Sequence, residues 1–268
     1  MKTLILKGRP MNYLMTNKAQ VLSRKESFEV LIDFDVVFVG EVHDSRFAHK
    51  AELILLTGLS RRDPNLVLAL EMFERDVQDV LDAYLRGKIS ENKFLKQSRP
   101  WPNYQEDYRP LIELAKTKGI PVIAANVPRR AAAAVVMANK ISTKVVGGDR
   151  LFLPKKVHLD SKEYRKRFVG SVGEMPHHTP MKGMNVNGLY KAQVLKDAVM
   201  AASLGPFLDR RILFCCGHFH SDYRLGIPYQ LRKNHPELKI AVITFSSSLE
   251  ELPMEDRSRV ADFIWLES

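Results

Sequence analysis

The pattern Gly-x-x-His occurs twice in this chain, at Gly40-Glu41-Val42-His43 and at Gly217-His218-Phe219-His220. Each copy directly follows an apolar run, Val36–Val39 and Ile212–Cys216. Other apolar runs also end in groups able to do chemistry. Leu66–Leu70 is followed by Glu71, Glu74 and Arg75, and Ile120–Ala125 by Asn126, Arg129 and Arg130. Beyond His218 and His220 come Asp222 and Tyr223. Carboxylates and imidazoles together can hold a divalent metal ion, or divide proton transfers between a general acid and a general base. Glu41, His43, His218 and His220 are the metal-ligand candidates. Asp44 and Ser45 read instead as caps of the helix they precede, a role for which Glu41 and His43 are poor choices.

A second cluster of chemistry lies in Glu174-Met175-Pro176-His177-His178-Thr179-Pro180-Met181-Lys182-Gly183-Met184, with Tyr190 close behind. Histidine, methionine and tyrosine are all axial ligands of haem iron. His177, His178 and Tyr190 are therefore candidate haem ligands. The alternative is a Pro/Gly-rich surface loop whose methionines fold over the core. Nucleophilic and phosphate-binding signatures are missing: there is no Gly-x-Ser-x-Gly elbow and no Gly-x-Gly-x-x-Gly.

These groups need a frame. A run of bulky and β-branched residues ended by Gly reads as a strand buried on both faces. Five runs of bulky, apolar residues occur, at Val36–Val39, Leu66–Leu70, Ile120–Ala125, Ile212–Cys216 and Ile240–Phe245, the first and fourth ended by Gly, and Phe263–Leu266 reads as a last strand. Helical patterns separate them at Phe47–Leu59, Asp76–Leu85, Leu111–Lys118, Arg129–Asn139 and Leu189–Leu204. The alternation predicts an α/β fold with a mainly parallel central sheet flanked by helices. The Arg129–Asn139 helix, nearly all Ala, Val and Met, is expected to be well buried. Residues 141–188 break the rhythm and read as an insertion, lid or smaller helical lobe within one domain spanning 1–268. In a parallel sheet the chemistry-bearing strand ends lie along one edge, where such folds bind ligands.

The 268 residues are 45% hydrophobic and 27% charged, a globular composition. No apolar stretch approaches the roughly 20 residues that span a bilayer. Met1–Lys7 is too short for a secretory apolar region, which suggests a cytoplasmic protein, or a periplasmic or lipid-anchored one if a leader has been removed. Cys215 and Cys216 are neighbours in a predicted strand and point to opposite faces, so they read as small core residues. The net charge of +10 has a concentrated source, since Arg150, Lys155, Lys156, Lys162, Arg165, Lys166 and Arg167 fall close together. Without a recognition motif for nucleic acid, the charge reads as a solvated basic face or a means of attracting a small anionic ligand.

The segments VVFVGEVHD at Val36–Asp44, Glu71–Arg75, Ala125–Arg129, Ala192-Gln193, Met200-Ala201, Gly217–His220 and Gly226-Ile227-Pro228 together resemble the ChaN-like proteins of the haem-binding uptake and Tiki superfamily. The erythromycin-esterase and TraB branches belong to the same superfamily. The resemblance implies an α/β core with a helical second lobe and a role in haem or iron acquisition, with haem held at a dimer interface. In the hydrolase branches the two Gly-x-x-His motifs do metal-dependent chemistry, and the positions that match are Glu41, His43, Glu71 and His220. Two functions are thereby set against each other. One is a haem- or iron-handling homodimer whose ligand is held near the strand ends and the insertion, with His177, His178, Tyr190, Asn126 and Arg129 as binding residues. The other is a hydrolase in which Glu41, His43, Glu71 and His220 hold a metal or activate water.

Overall fold

A strand such as Val36-Val37-Phe38-Val39 has no polar face to leave in water, so the sheet that holds it must be covered on both sides. The computed structural model, which describes residues 13–173, 185–248, 252 and 254–267, builds that sheet from eight strands. They are β1 (Tyr13–Thr16), β2 (Val21–Leu22), β3 (Val36–Glu41), β4 (Val67–Glu74), β5 (Val122–Asn126), β6 (Ile212–Gly217), β7 (Ile240–Ser246) and β8 (Phe263–Leu266). Their order is β2-β1-β8-β7-β3-β6-β4-β5. From β8 to β5 neighbours run parallel, and β1 lies antiparallel to both β8 and β2. The α/β class and the mainly parallel sheet thus stand as expected, and the short antiparallel edge is an addition.

Because successive strand residues point to opposite faces, each strand feeds two cores. Val37, Val39, Leu68, Leu70, Leu213 and Cys215 face one side, where they pack with Leu31, Leu55, Leu59, Leu81, Phe94 and Leu111. Those partners come from or border α1 (Arg24–Leu31), α2 (Arg46–Ser60), α3 (Gln78–Leu85), α4 (Glu91–Ser98) and α5 (Arg109–Lys118). Val36, Phe38, Val67, Ala69, Phe214 and Cys216 face the other, against Met200, Ala201, Ile227, Leu231 and Val260. These lie on α9 (Val186–Ser203), α10 (Ile227–Asn234) and α11 (Met254–Val260). The two cysteines are buried and unbridged on opposite faces, and burial pushes both thiols well up.

Residues 141–188 hold helices that lacked a clear sequence pattern. The single turn of α7 (Thr143–Val146) and the longer α8 (Lys162–Gly173) lie between α6 (Arg129–Ala138) and α9. Alanines on α6 pack with Val199 and Leu195 of α9 as a third cluster, and Tyr164 and Phe168 of α8 pack on Tyr190 and Val194 as a fourth. The expectation of a well-buried α6 needs correcting. Ala131, Ala132 and Val135 are buried, but Met137 is almost fully exposed, because only one stripe of the helix meets α9.

Strand β4 also departs from expectation, continuing four residues past Leu70 through a register shift against β5. Glu71 is therefore inside a strand. Its face follows from the alternation: with Val67 and Ala69 it points toward α9, whereas Glu41, continuing Val37 and Val39, points toward α2 and α5. The two carboxylates approach the same sheet edge from opposite sides.

Candidate functional site

At the carboxyl ends of β3 and β6, Glu41 pairs in register with Gly217. A Cβ on Gly217 would lie 2.7 Å from Cε1 and 2.8 Å from Nε2 of His43, so the missing side chain is the space that the imidazole occupies. His43 stands 45% exposed over this gap, edge-on to Trp101 at 4.7 Å between centroids. Its Nδ1 donates to Oε1 of the fully buried Glu41 at 2.7 Å. That tautomer leaves Nε2, which lies over Gly217, without a hydrogen-bond partner among the described residues. Burial opposes charge on His43, but the Glu41 hydrogen bond and the charge of Glu71 outweigh it and raise the pKa.

Glu41 is held by more than His43. Tyr108 donates its hydroxyl to Oε1 at 2.6 Å, and Nδ1 of His49 lies 3.1 Å from Oε2. Burial alone would raise this carboxyl; hydrogen bonds from His43, His49, Glu52 and Tyr108 overcome it and bring the pKa down to about 2. His49 also lies 3.4 Å from Oε2 of Glu52, and its Nε2 lies 3.2 Å from the carbonyl of His43. The carboxylates outweigh its burial and raise it to about 10. Full burial and the charge of Glu41 push Glu52 the other way, well above the carboxylate range. Asn103 completes this layer by donating to the His43 carbonyl at 2.9 Å.

On the opposite face of the sheet, the backbone N–H of Gly217 donates to Oε2 of Glu71 at 2.8 Å. The other oxygen, Oε1, lies 3.2 Å from Nε2 of His220, whose Nδ1 lies 2.5 Å from Oδ1 of Asp197. Tyr164 donates to the second oxygen of Asp197 at 2.7 Å. His220 is thus clamped between two buried carboxylates. These outweigh its burial and raise it to about 10, while its charge overcomes burial at Glu71 and lowers that carboxyl to about 2. Asp197 stays raised, because burial exceeds what His220 and Tyr164 return. His220 has both nitrogens engaged by carboxylates, whereas His43 has one nitrogen open.

Both histidines border a cavity of about 610 Å³. Ala132, Ala133 and Val136 of α6, Leu189 and Ala192 of α9, and Phe168 of α8 give it apolar walls. Glu41, His43, His218 and His220 line its polar part, with Gln193 and Lys196 reaching in from α9. Among the described residues Lys196 is the only lysine or arginine lining the cavity, and its charge is felt at Glu71.

The structure therefore brings together Glu41, His43, Glu71, His218 and His220. His218 is half exposed at the rim, with Nδ1 3.1 Å from Asp222. The other candidates fall elsewhere. Asn126 is buried at the end of β5, and Arg129 donates to Glu74 at 2.6 Å in an ion-pair belt that includes Arg99, Asp76, Arg130 and Asp149; neither lines the cavity. Tyr190 is buried beneath α8, with its hydroxyl 3.4 Å from the Ser161 carbonyl. His177 and His178 lie outside the described residues. Among the described residues His43, His218 and His220 are not part of any group of three or more converging ligand atoms with Glu41. Among the same residues the one such group, converging within 4.8 Å, is Glu41, His49 and Glu52. Ser45 caps α2, as expected, by accepting from the N–H of Ala48.

Sequence reading missed His49, Glu52, Tyr108, Gln193 as a lining residue, Asp197 and Lys196. Three of these were marked in the sequence. His49 and Glu52 share the helix face of Leu55, Leu56 and Leu59, and Asp197 sits in a helix that is buried nearly all round. A charge on an apolar face needs a buried partner.

The sequence profile of the haem-binding uptake, Tiki superfamily, ChaN family matches residues 28–231. A curated relative, the chloroplastic protein RETICULATA-RELATED 5 of Arabidopsis thaliana, is 22% identical over 270 aligned positions, covering 90% of this chain. The chain spans about a third of that relative's length, 35%. Among solved structures, one described as cofacial haem binding to ChaN of Campylobacter jejuni superposes with a TM-score of 0.74 at 20% identity, covering 97% of this chain and 98% of its own. A mutant of the erythromycin esterase EreC in its open conformation gives 0.55 at 12% identity, covering 94% and 97%. At such identities these structural likenesses speak for the fold, whereas the profile spans most of the chain. The protein belongs to the haem-binding uptake ChaN family of the Tiki superfamily.

Proposed function

We propose that the chain binds haem in the cavity at the strand ends, with Nε2 of His43 as a ligand to the iron. The observation that carries this reading is the open nitrogen of His43, backed by a carboxylate and set beside apolar walls. A metal-bound imidazole characteristically gives its other N–H to a carboxylate, which fixes the tautomer and raises its basicity. The Glu41–His43 pair at 2.7 Å has that form. A cavity of about 610 Å³ walled by Ala, Val, Leu and Phe suits an apolar macrocycle, and Lys196 offers a cation to its carboxylates. The haem would supply an iron centre for transport or transfer.

Haem titration followed at the Soret band tests the assignment. His43→Ala should weaken binding at least about tenfold or shift the band, the scale expected when a metal site loses a key group. His177→Ala and His178→Ala should leave it in place. An unchanged band in His43→Ala overturns the assignment, and its loss in His177→Ala or His178→Ala moves the ligand to the central segment. Stoichiometry and mass in the same titration report whether two copies share the ligand.

One observation favours a second reading, hydrolysis. His220 is clamped as an imidazolium by Glu71 and Asp197, which a binding site alone does not require. Beside it, His43 backed by Glu41 is arranged as a general base, and His220 could stabilise developing negative charge. Haem-free protein would then cleave an ester substrate, and His43→Ala and Glu71→Gln would abolish turnover. Absence of turnover across an ester panel leaves binding as the function.

A further inference from the structure

The cluster behind His43 contains more acid than its hydrogen bonds use. Glu41 and Glu52 are both fully buried, yet Oε1 of Glu52 has no hydrogen-bond partner among the described residues, and Oε2 of Glu41 has only the ion-pair contact with Nδ1 of His49 at 3.1 Å. Buried carboxylate oxygens do not stay empty-handed: they are bonded, protonated or bound to a cation.

We propose that Glu41, His49 and Glu52 form a buried site for one divalent first-row cation of the Zn²⁺ or Mn²⁺ type.

Three features support this site independently of whatever occupies the cavity. Ligand atoms of the three side chains all lie within 4.8 Å of one another, and Nδ1 of His49 is 3.1 Å from Glu41 and 3.4 Å from Glu52. Donors about 2.0–2.2 Å from one tetrahedral ion stand about 3.3–3.6 Å apart, so these side chains need little movement to bind one. The orientation of His49 also fits, since its Nε2 can donate to the His43 carbonyl at 3.2 Å and leave Nδ1 for the metal. Finally, the second oxygen of Glu41 is steadied by Tyr108 and His43, as the outer partners of a metal-binding carboxylate are. Two carboxylates and an imidazole suit zinc or manganese better than a thiophilic ion.

Access is provided from the side away from the cavity. A groove of about 350 Å³ reaches His49 from the surface between α2 and the start of α5, lined by Glu106 and Asp107 and also by Arg46 and Lys50. A cation there would hold Glu41 in place and, through it, the Nδ1 bond of His43.

The competing occupant is a proton shared between the two carboxyls, and Glu52→Gln separates the two cases. Glutamine keeps the shape and the donor of a protonated Glu52 but is a weak metal ligand. The full chain, stripped with chelator and without haem, is titrated with Co²⁺ as a visible probe and with Zn²⁺ and Mn²⁺ in competition, and melting is followed in parallel. The proposal expects one equivalent bound, a rise in Tm on binding, and at least tenfold weaker binding in Glu52→Gln and His49→Gln. Uptake well below one equivalent by the wild-type chain overturns it, as does equal affinity in Glu52→Gln. The wild-type measurement decides even if a variant does not fold.

Discussion

The contact between Gly217 and His43 makes a glycine part of the site without chemistry of its own. The added Cβ of Gly217→Ala would meet the His43 ring at 2.7 Å and Glu71 only at 3.6 Å, so the imidazole is what must move. His43 is half exposed and can swing outward, and the fold should lose less than about 1 kcal/mol, the range of substitutions that disturb no core. The Nδ1 bond to Glu41 would be lost with the swing. Gly217→Ala should therefore melt near the wild-type temperature while binding haem at least about tenfold more weakly, the size of effect seen when a metal site loses an outer partner. Unaltered haem affinity would show that the position of His43 does not matter to binding.

Helices α6 and α9 wall the cavity, and one close approach sets their separation. A Cβ on Gly188 would lie 2.4 Å from the carbonyl oxygen of Val136, a backbone atom that cannot rotate away. Gly188→Ala should push the helices apart, costing about 1–3 kcal/mol as overpacking does, and lower ligand affinity in the same variant. A melting temperature equal to wild type would mean that the helices adjust freely. This pair also shows where sequence reading succeeds and where it stops. The strand cores announced themselves, because residues such as Val36–Val39 and Ile212–Cys216 leave no choice but burial on both faces, and the Gly-x-x-His copies fixed which edge carries His43 and His220. The helices of 141–188 were invisible because their apolar residues are few and face a single partner, as Tyr164 and Phe168 do. Partners supplied across the fold, such as Tyr108 to Glu41 or Asp197 to His220, carry no mark in local spacing. They meet their targets only through the topology, which sets α5 on one face and α9 on the other.

Across the molecule, two electrostatic effects of opposite sign act on stability as pH rises. The net charge of +10 repels itself, and that repulsion relaxes toward alkaline pH. The buried network around His220 acts in the other direction. His220 is raised from 6.5 to about 10, so its contribution is complete below pH 6.5 and is lost as pH climbs toward 10. Glu71, lowered from 4.5 to about 2, contributes above pH 4.5 and loses that contribution as pH falls toward 2. Surface charges are screened within about 8 Å at physiological salt, whereas His220 is fully buried between its partners, so the buried network should prevail. Melting temperature in chelator-treated protein should thus decline from pH 6.5 to 9.5 despite the falling net charge. Asp197→Asn removes one of the two carboxylates that raise His220, so it should cost about 3 kcal/mol at neutral pH and flatten the alkaline decline. A wild-type profile that rises over this range, or one that keeps its slope in Asp197→Asn, would place the governing charges outside the His220 network.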